Sequence, residues 1–253
     1  MERSIDSEGD ELIACGTKSE EECSDQLVSE IHPSLFFRRN SVNCIIGKRS
    51  GGKTWMCLRE ILKCLMLGET DENIPPYTQL FYVSDKVQDD TVAKLQPLLE
   101  KYIQVIWIKT DEALKLFQVL ELGKSEMNNP EFRKCLNAQD LPEGQLPHTI
   151  LVFDDCIHLF SKPTELSKKL FQNRQSRISI FLILQDVNGL SSSVKSNLDS
   201  LVLFGGFSSQ KYNVLTYQLP PVDYSYEDYS RLRTVDYVVF DFQSDTVFEK
   251  FRD

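Results

Sequence analysis

Eight residues, Gly47-Lys48-Arg49-Ser50-Gly51-Gly52-Lys53-Thr54, follow the pattern G-x-x-x-x-G-K-T at every specified position. Glycines so placed let backbone N–H groups turn inward around an anion, and a helix starting there adds the positive end of its dipole. Lys53 can then reach β- and γ-phosphates, and the Thr54 hydroxyl can ligate Mg²⁺. A glycine-rich turn can fit the same pattern by chance, so context decides. Val42, Cys44, Ile45 and Ile46 lead in as a buried strand, and Trp55 to Leu67 lead out as a helix with Leu58, Ile61, Leu62 and Leu65 on one face. The expected ligand is a nucleoside triphosphate.

A second run, His148-Thr149-Ile150-Leu151-Val152-Phe153-Asp154-Asp155, is an apolar strand ending in two carboxylates, the form of a Walker B motif. Asp154 is expected in the Mg²⁺ shell and Asp155 as the group that polarises the attacking water. Alone, two acids after a strand also suit a turn or a helix cap; the upstream P-loop favours the catalytic reading. Nothing matches an N-K-x-D guanine-reading segment, which favours ATP over GTP. A third run, Ile178-Ser179-Ile180-Phe181-Leu182-Ile183-Leu184-Gln185, reads as another buried strand with one polar residue at its end. Gln185 is then expected to sense the γ-phosphate or help orient the water, because ligands of open α/β sheets sit beyond the carboxyl ends of strands. Before this strand, a helix over Glu165–Gln175 is predicted, followed by Arg177. Arg174 or Arg177 could serve as an arginine finger, Arg174 being preferred because Arg177 abuts the strand; cations at a helix carboxyl end also favour the dipole without any such role.

These motifs, in this order and spacing, resemble the genome-packaging ATPases of large double-stranded DNA viruses, the poxvirus-type and virophage-type members of the FtsK/HerA group. The resemblance spans Asn40 to Gly206 and is carried by Gly47 to Thr54, Leu151 to Asp155, Asn173-Arg174 and Phe181 to Gln185. It implies an α/β P-loop NTPase: a mostly parallel central sheet flanked by helices, with an additional strand between the P-loop and Walker B strands. It also implies an oligomeric ring that couples ATP hydrolysis to pumping duplex DNA into a preformed capsid, and a capsid or portal-vertex protein as partner. The site would lie inside an infected host cell, where virions assemble. Asp186 follows the glutamine where relatives tend to carry a small or hydroxyl residue.

The supporting elements fit that class. Strands are predicted over Thr78–Val83, Val105–Lys109 and Leu201–Phe204, with helices near Thr91–Lys101, Asp111–Leu122 and Glu131–Asn137. After Pro220, Val235–Phe242 and Thr246–Phe251 are expected to pair as a hairpin across Gln243-Ser244-Asp245, a short C-terminal β appendage. Tyr224, Tyr226 and Tyr229 could stack on nucleic acid, although packing within the appendage is the commoner use.

The 253 residues carry a formal charge of −10, which sits awkwardly with a DNA motor until it is located. Residues 1–30 hold ten acids and two bases, and residues 219–253 hold eight acids and four bases, so the part between is near neutral. The expected organisation is an acidic, aromatic-free, disordered leader (1–30), an ATPase domain (31–218) and a Tyr-rich extension (219–253). DNA contact would need a local basic patch; Lys124, Lys134, Lys168, Lys169 and above all Lys195 in Ser191–Asn197 are its candidates. Seven cysteines without C-x-x-C pairing point to free thiols in a reducing compartment, and no long apolar span suggests membrane insertion. Within the same fold a helicase-like or DNA-remodelling ATPase is the alternative, and a small-molecule kinase, with Asp85 as its substrate acid, a third.

Overall fold

The computed structural model describes residues 37–68, 77–86, 90–113, 115–116, 148–161, 177–220 and 223–250. The helix expected over Glu165–Gln175, the one over Glu131–Asn137, and the acidic leader lie outside them, as do Arg174, Lys124, Lys134, Lys168 and Lys169.

Val42–Ile46 forms strand β1 with all five side chains buried, as a continuous apolar run requires of a strand covered on both faces. The other strands are β2 (Tyr77–Val83), β3 (Gln104–Ile108), β4 (His148–Asp154), β5 (Ile178–Leu184), β6 (Ser200–Phe204), β7 (Tyr237–Asp241) and β8 (Thr246–Lys250). They make one eight-stranded sheet in the order β3-β2-β4-β5-β1-β6-β7-β8. Every pairing from β3 through β6 is parallel, and β7 and β8 add on antiparallel. As expected, β5 lies between the P-loop strand β1 and the Walker B strand β4.

Alternate residues of each central strand feed opposite layers, the period-2 consequence of the pleat. Ile45, Leu80, Tyr82, Ile150, Val152, Phe181 and Ile183 face helix α1 (Lys53–Gly68), which buries Met56, Cys57, Leu58, Ile61, Cys64 and Leu65 against them. Leu62, expected on that stripe, is only half-buried; Cys57 and Cys64 complete it instead. Helix α2 (Asp90–Leu99) joins this layer through Val92 and Leu99. On the other face, Cys44, Ile46, Leu151, Phe153, Leu182, Leu201 and Leu203 pack with Val194 of the short helix α3 (Ser192–Lys195). Tyr212 and Leu215 of helix α4 (Ser209–Tyr217) and Tyr229 of α5 (Tyr226–Tyr229) close that layer. The segment expected to be helical from Asp111 begins as a 3-10 turn, Thr110–Glu112, and continues outside the described residues after Leu116.

The C-terminal hairpin is part of this sheet. Val238 and Val239 are fully buried in β7, and the tyrosines pack: Tyr229 stacks on Tyr212 at 4.6 Å between ring centroids. Tyr229 also donates its hydroxyl to the carbonyl of Phe204 at 2.6 Å and receives the Phe207 N–H at 3.1 Å, fastening α5 to the end of β6.

Candidate active site

Because β1, β2, β4 and β5 run parallel, their carboxyl ends share one edge of the sheet, and the loops leaving those ends converge there. The P-loop leaves β1 at Gly47, whose N–H donates to the carbonyl of Leu184 at the end of β5 (3.3 Å). A Cβ at Gly47 would stand 2.8 Å from Cβ of Phe204, so only glycine lets the loop pass β6. Gly52 turns the chain into α1 at φ +89°, a left-handed conformation open to glycine at no steric cost. Ser50 adopts φ 60° beside it, and alternation of this kind curls successive amides toward a common centre. Helix α1 starts at Lys53 and points its amino end into the same space.

Lys53 is 8% exposed and donates from Nζ to the Lys48 carbonyl at 2.9 Å, across the mouth of its own loop. Burial lowers its pKa from the ordinary lysine value, against the opposing pull of the Asp155 and Asp154 carboxylates. Thr54 donates from Oγ1 to Oδ2 of Asp154 at 3.2 Å, so a hydroxyl and a carboxylate from the two motifs meet, although 100 positions separate them. The Tyr82 hydroxyl, from the neighbouring strand β2, donates to the same oxygen at 2.6 Å. Hard oxygen donors in this number suit Mg²⁺, which takes one or two protein ligands and completes its shell with water and phosphate oxygens. The residues that would hold it are Thr54 and Asp154, with Tyr82 fixing the carboxylate.

Asp155 follows at φ 57°, a left-handed turn that aspartate tolerates, and its N–H is tied to the Ile183 carbonyl at 3.0 Å. The turn aims its half-buried carboxylate along the edge of the sheet, where Gln185 donates from Nε2 to Oδ2 at 3.1 Å. Lys86, three residues past the end of β2, also ion-pairs with that oxygen. Burial alone would lower the Lys86 pKa; the Asp155 contact and the charges of Asp154 and Asp155 together raise it. Five of the expected groups, Lys53, Thr54, Asp154, Asp155 and Gln185, are therefore brought together.

Other candidates are placed differently. Arg177 stands at the amino end of β5, at φ 55°, and its carbonyl accepts the Thr149 N–H. A seven-residue strand separates it from the Gln185 end, about 23 Å at 3.3 Å per residue. It cannot reach the nucleotide site of its own chain, so an arginine-finger role for it would have to be toward a neighbour. Asp186, the unexpected acid, ion-pairs with Lys211 of α4 and accepts the Asn188 N–H at 3.1 Å, which locks the loop after β5 against that helix. Asp85 accepts the Thr110 N–H at 3.0 Å and the Thr110 hydroxyl, so this acid clamps β2 to the segment after β3. Lys195, the last residue of α3, donates to Gln218 at 2.7 Å beside a cleft with Ser192, Ser196 and Tyr217.

Sequence reasoning missed Tyr82 and Lys86. The signal for both was present in Phe81-Tyr82-Val83-Ser84-Asp85-Lys86, a strand that turns polar and charged at its carboxyl end. What was missing was that this strand neighbours β4 in the sheet.

A largely parallel sheet with a P-loop, a two-acid Walker B strand and a strand inserted between them defines a P-loop NTPase fold. The chain superposes on the DNA-packaging ATPase B204 from Sulfolobus Turreted Icosahedral Virus with TM-score 0.58 and 13% identity, covering 83% of this chain and 96% of that one. It matches the genome packaging NTPase B204 from Sulfolobus turreted icosahedral virus 2 in complex with ATP-gammaS with TM-score 0.56 and 14% identity, over 83% and 96% of the two chains. ATPases 2 and 3 of EssC from Geobacillus thermodenitrificans match with TM-score 0.52 and 15% identity, over 80% of this chain and 38% of that one. At such identities the likeness is one of fold. No protein-family model and no curated protein sequence matches the chain.

Proposed function

We propose that this protein is an Mg²⁺-dependent ATPase that translocates double-stranded DNA to package a viral genome into a preformed capsid. The observation that carries the reading is the meeting of Lys53, Thr54, Asp154, Asp155 and Gln185 at one edge of a sheet whose Walker B and P-loop strands are separated by β5. Bound Mg²⁺ would neutralise charge on the phosphates. Lys53 and the P-loop amides bind and orient the triphosphate, Thr54 and Asp154 hold the ion, Asp155 accepts a proton from the attacking water, and Gln185 fixes the Asp155 carboxylate.

The packaging reading is supported by extent: the match covers 96% of a packaging NTPase chain, against 38% of the EssC chain, which holds two ATPases. Among the described residues no helix is long and apolar enough to cross a membrane. The reading carries with it a homo-oligomeric ring, duplex DNA and a capsid or portal-vertex protein as partners, and an intracellular place of action at virion assembly sites. It also keeps the division into leader (1–30), ATPase domain (31–218) and extension (219–253) as a proposal, with β7 contributing to the core of the sheet.

The test is phosphate release by the full chain, measured with Mg²⁺ and ATP in the presence and absence of linear duplex DNA, alongside gel filtration. DNA-stimulated release from an oligomer supports packaging. Release indifferent to DNA removes the DNA-motor reading while leaving the ATPase, and transfer of phosphate to a nucleoside in place of release overturns both.

A further inference from the structure

Lys86 belongs to none of the motifs, yet its ammonium contacts the oxygen of Asp155 that Gln185 also reaches. It sits there for local reasons. Asp85 is clamped to Thr110, and the Lys86 N–H is held by the Ser84 hydroxyl at 3.2 Å, so the backbone of this turn is fixed and delivers the side chain over the end of β4. The charge falls at the carboxyl end of the sheet, on the carboxylate that Gln185 also contacts. Its side chain is 58% exposed and that of Asp155 23%, an arrangement in which the pair by itself contributes little to stability. A cation kept beside a catalytic acid for little structural gain asks for another partner.

We propose that Lys86 is a phosphate-binding residue acting in cis, its ammonium bridging the Asp155 carboxylate and the γ-phosphate of ATP. Lysine carries three donors on one nitrogen, so a proton can go to Asp155 Oδ2 while another goes to a phosphate oxygen. The inference deepens the ATPase reading and rests on it. It makes two consequences separable. The γ-phosphate gains a positive partner that a diphosphate cannot engage, so Lys86 should discriminate ATP from ADP. Asp155 is held beside the γ-phosphate by the same nitrogen, so the acid and the bond to be cleaved are registered to each other.

The experiment compares binding of AMPPCP and ADP, both with Mg²⁺, to wild type, Lys86→Met and Lys86→Arg. Lys86→Met should weaken AMPPCP binding by about 10- to 100-fold, the worth of one hydrogen bond to a charged group, and leave ADP binding within about twofold of wild type. Lys86→Arg, which keeps a cation of similar reach, should recover most of the AMPPCP affinity. An AMPPCP-to-ADP ratio unchanged in Lys86→Met overturns the inference even if hydrolysis falls, because a purely structural lysine would not move that ratio. Wild type that binds neither nucleotide overturns the ATPase reading and this inference with it. Lys53→Ala, which should lose both ligands together, separates general loss of the phosphate site from loss of the γ-phosphate contact.

Discussion

Asp154 and Asp155 are adjacent in sequence but differently employed. Asp154 is 8% exposed and already accepts from Thr54 and Tyr82, whereas Asp155 sits half-buried on a left-handed turn beside Gln185 and Lys86. Asp155→Asn is therefore expected to bind Mg·ATP and stall hydrolysis, while Asp154→Asn should raise the Mg²⁺ concentration needed for half-maximal activity. Metal titrations of the two variants check this, and equal loss of nucleotide binding in both would show the roles to be wrong. Lys53→Ala should fold normally and lose hydrolysis by at least about 10²-fold, as removal of a preorganised charge at a reacting phosphate does; normal turnover by the folded variant would sink the P-loop assignment. The P-loop and both acids were legible in the sequence because their chemistry is written in consecutive residues. Tyr82 and Lys86 were not, since their role depends on which strand lies beside β4. His148 gives a residue-scale prediction of another kind. Its ring is packed edge-on against Tyr77, and burial, with the charges of Arg39 and Arg177, holds its pKa down to about 3. The folded pKa lies below the unfolded one near 6.5, so the unfolded chain binds the proton first. Stability should be full above pH 6.5 and fall toward pH 3, by at most about 1.4 kcal/mol per pH unit. The melting temperature of His148→Phe should depend less on pH across that window; an identical acid limb would remove the assignment.

Among the elements, β5 is the one on which the site turns. It is buried in all seven residues, and it separates β4 from β1 while delivering Gln185 between the P-loop and Asp155. Its apolar run was readable as a strand, but its central position was not in the residues: runs buried on both faces look alike wherever they lie in a parallel sheet. That placement came from the resemblance and is what the structure shows. The C-terminal hairpin was legible from alternation and the Gln243-Ser244-Asp245 turn. Its continuity with the core sheet was not, because pairing of β7 with β6 is a contact across nearly forty positions. Helix α5 is tied to this junction by the fully buried Tyr229, whose hydroxyl bridges Phe204 and Phe207. Tyr229→Phe removes one partner from a buried carbonyl and amide, and should cost about 1–3 kcal/mol in chemical denaturation. Phe204 packs against Gly47, so the same variant reports whether the P-loop feels this strap. Nucleotide affinity unchanged at lower stability would mean the junction only supports the fold.

For the whole molecule the open question is whether one chain completes a site. Arg174 lies outside the described residues, and Arg177 is on the edge of the sheet away from its own P-loop. If either acts in trans, its alanine variant binds ATP but hydrolyses it about 10³–10⁵-fold more slowly. Mixing that variant with Lys53→Ala protein should then restore activity, since one supplies an intact P-loop and the other an intact arginine. No rescue at any ratio, from protein shown to be oligomeric, would remove the trans mechanism. The parallel sheet sets a further condition on such a partnership. Nucleotide groups occupy one end of the strands and Arg177 the other, so the chain has a front and a back. Two copies that met front to front or back to back across a twofold axis would press like ends together, and neither could lend Arg177 to the other. A twofold pair set side by side and antiparallel would join the two ends reciprocally, and so would heterologous contacts, the back of each copy on the front of the next. Heterologous contacts do not limit themselves to a pair: they close into a cycle when the rotation per step divides a full turn, and otherwise grow into an open filament. An assembly that uses Arg177 would thus have its geometry constrained by strand direction before any subunit interface is specified.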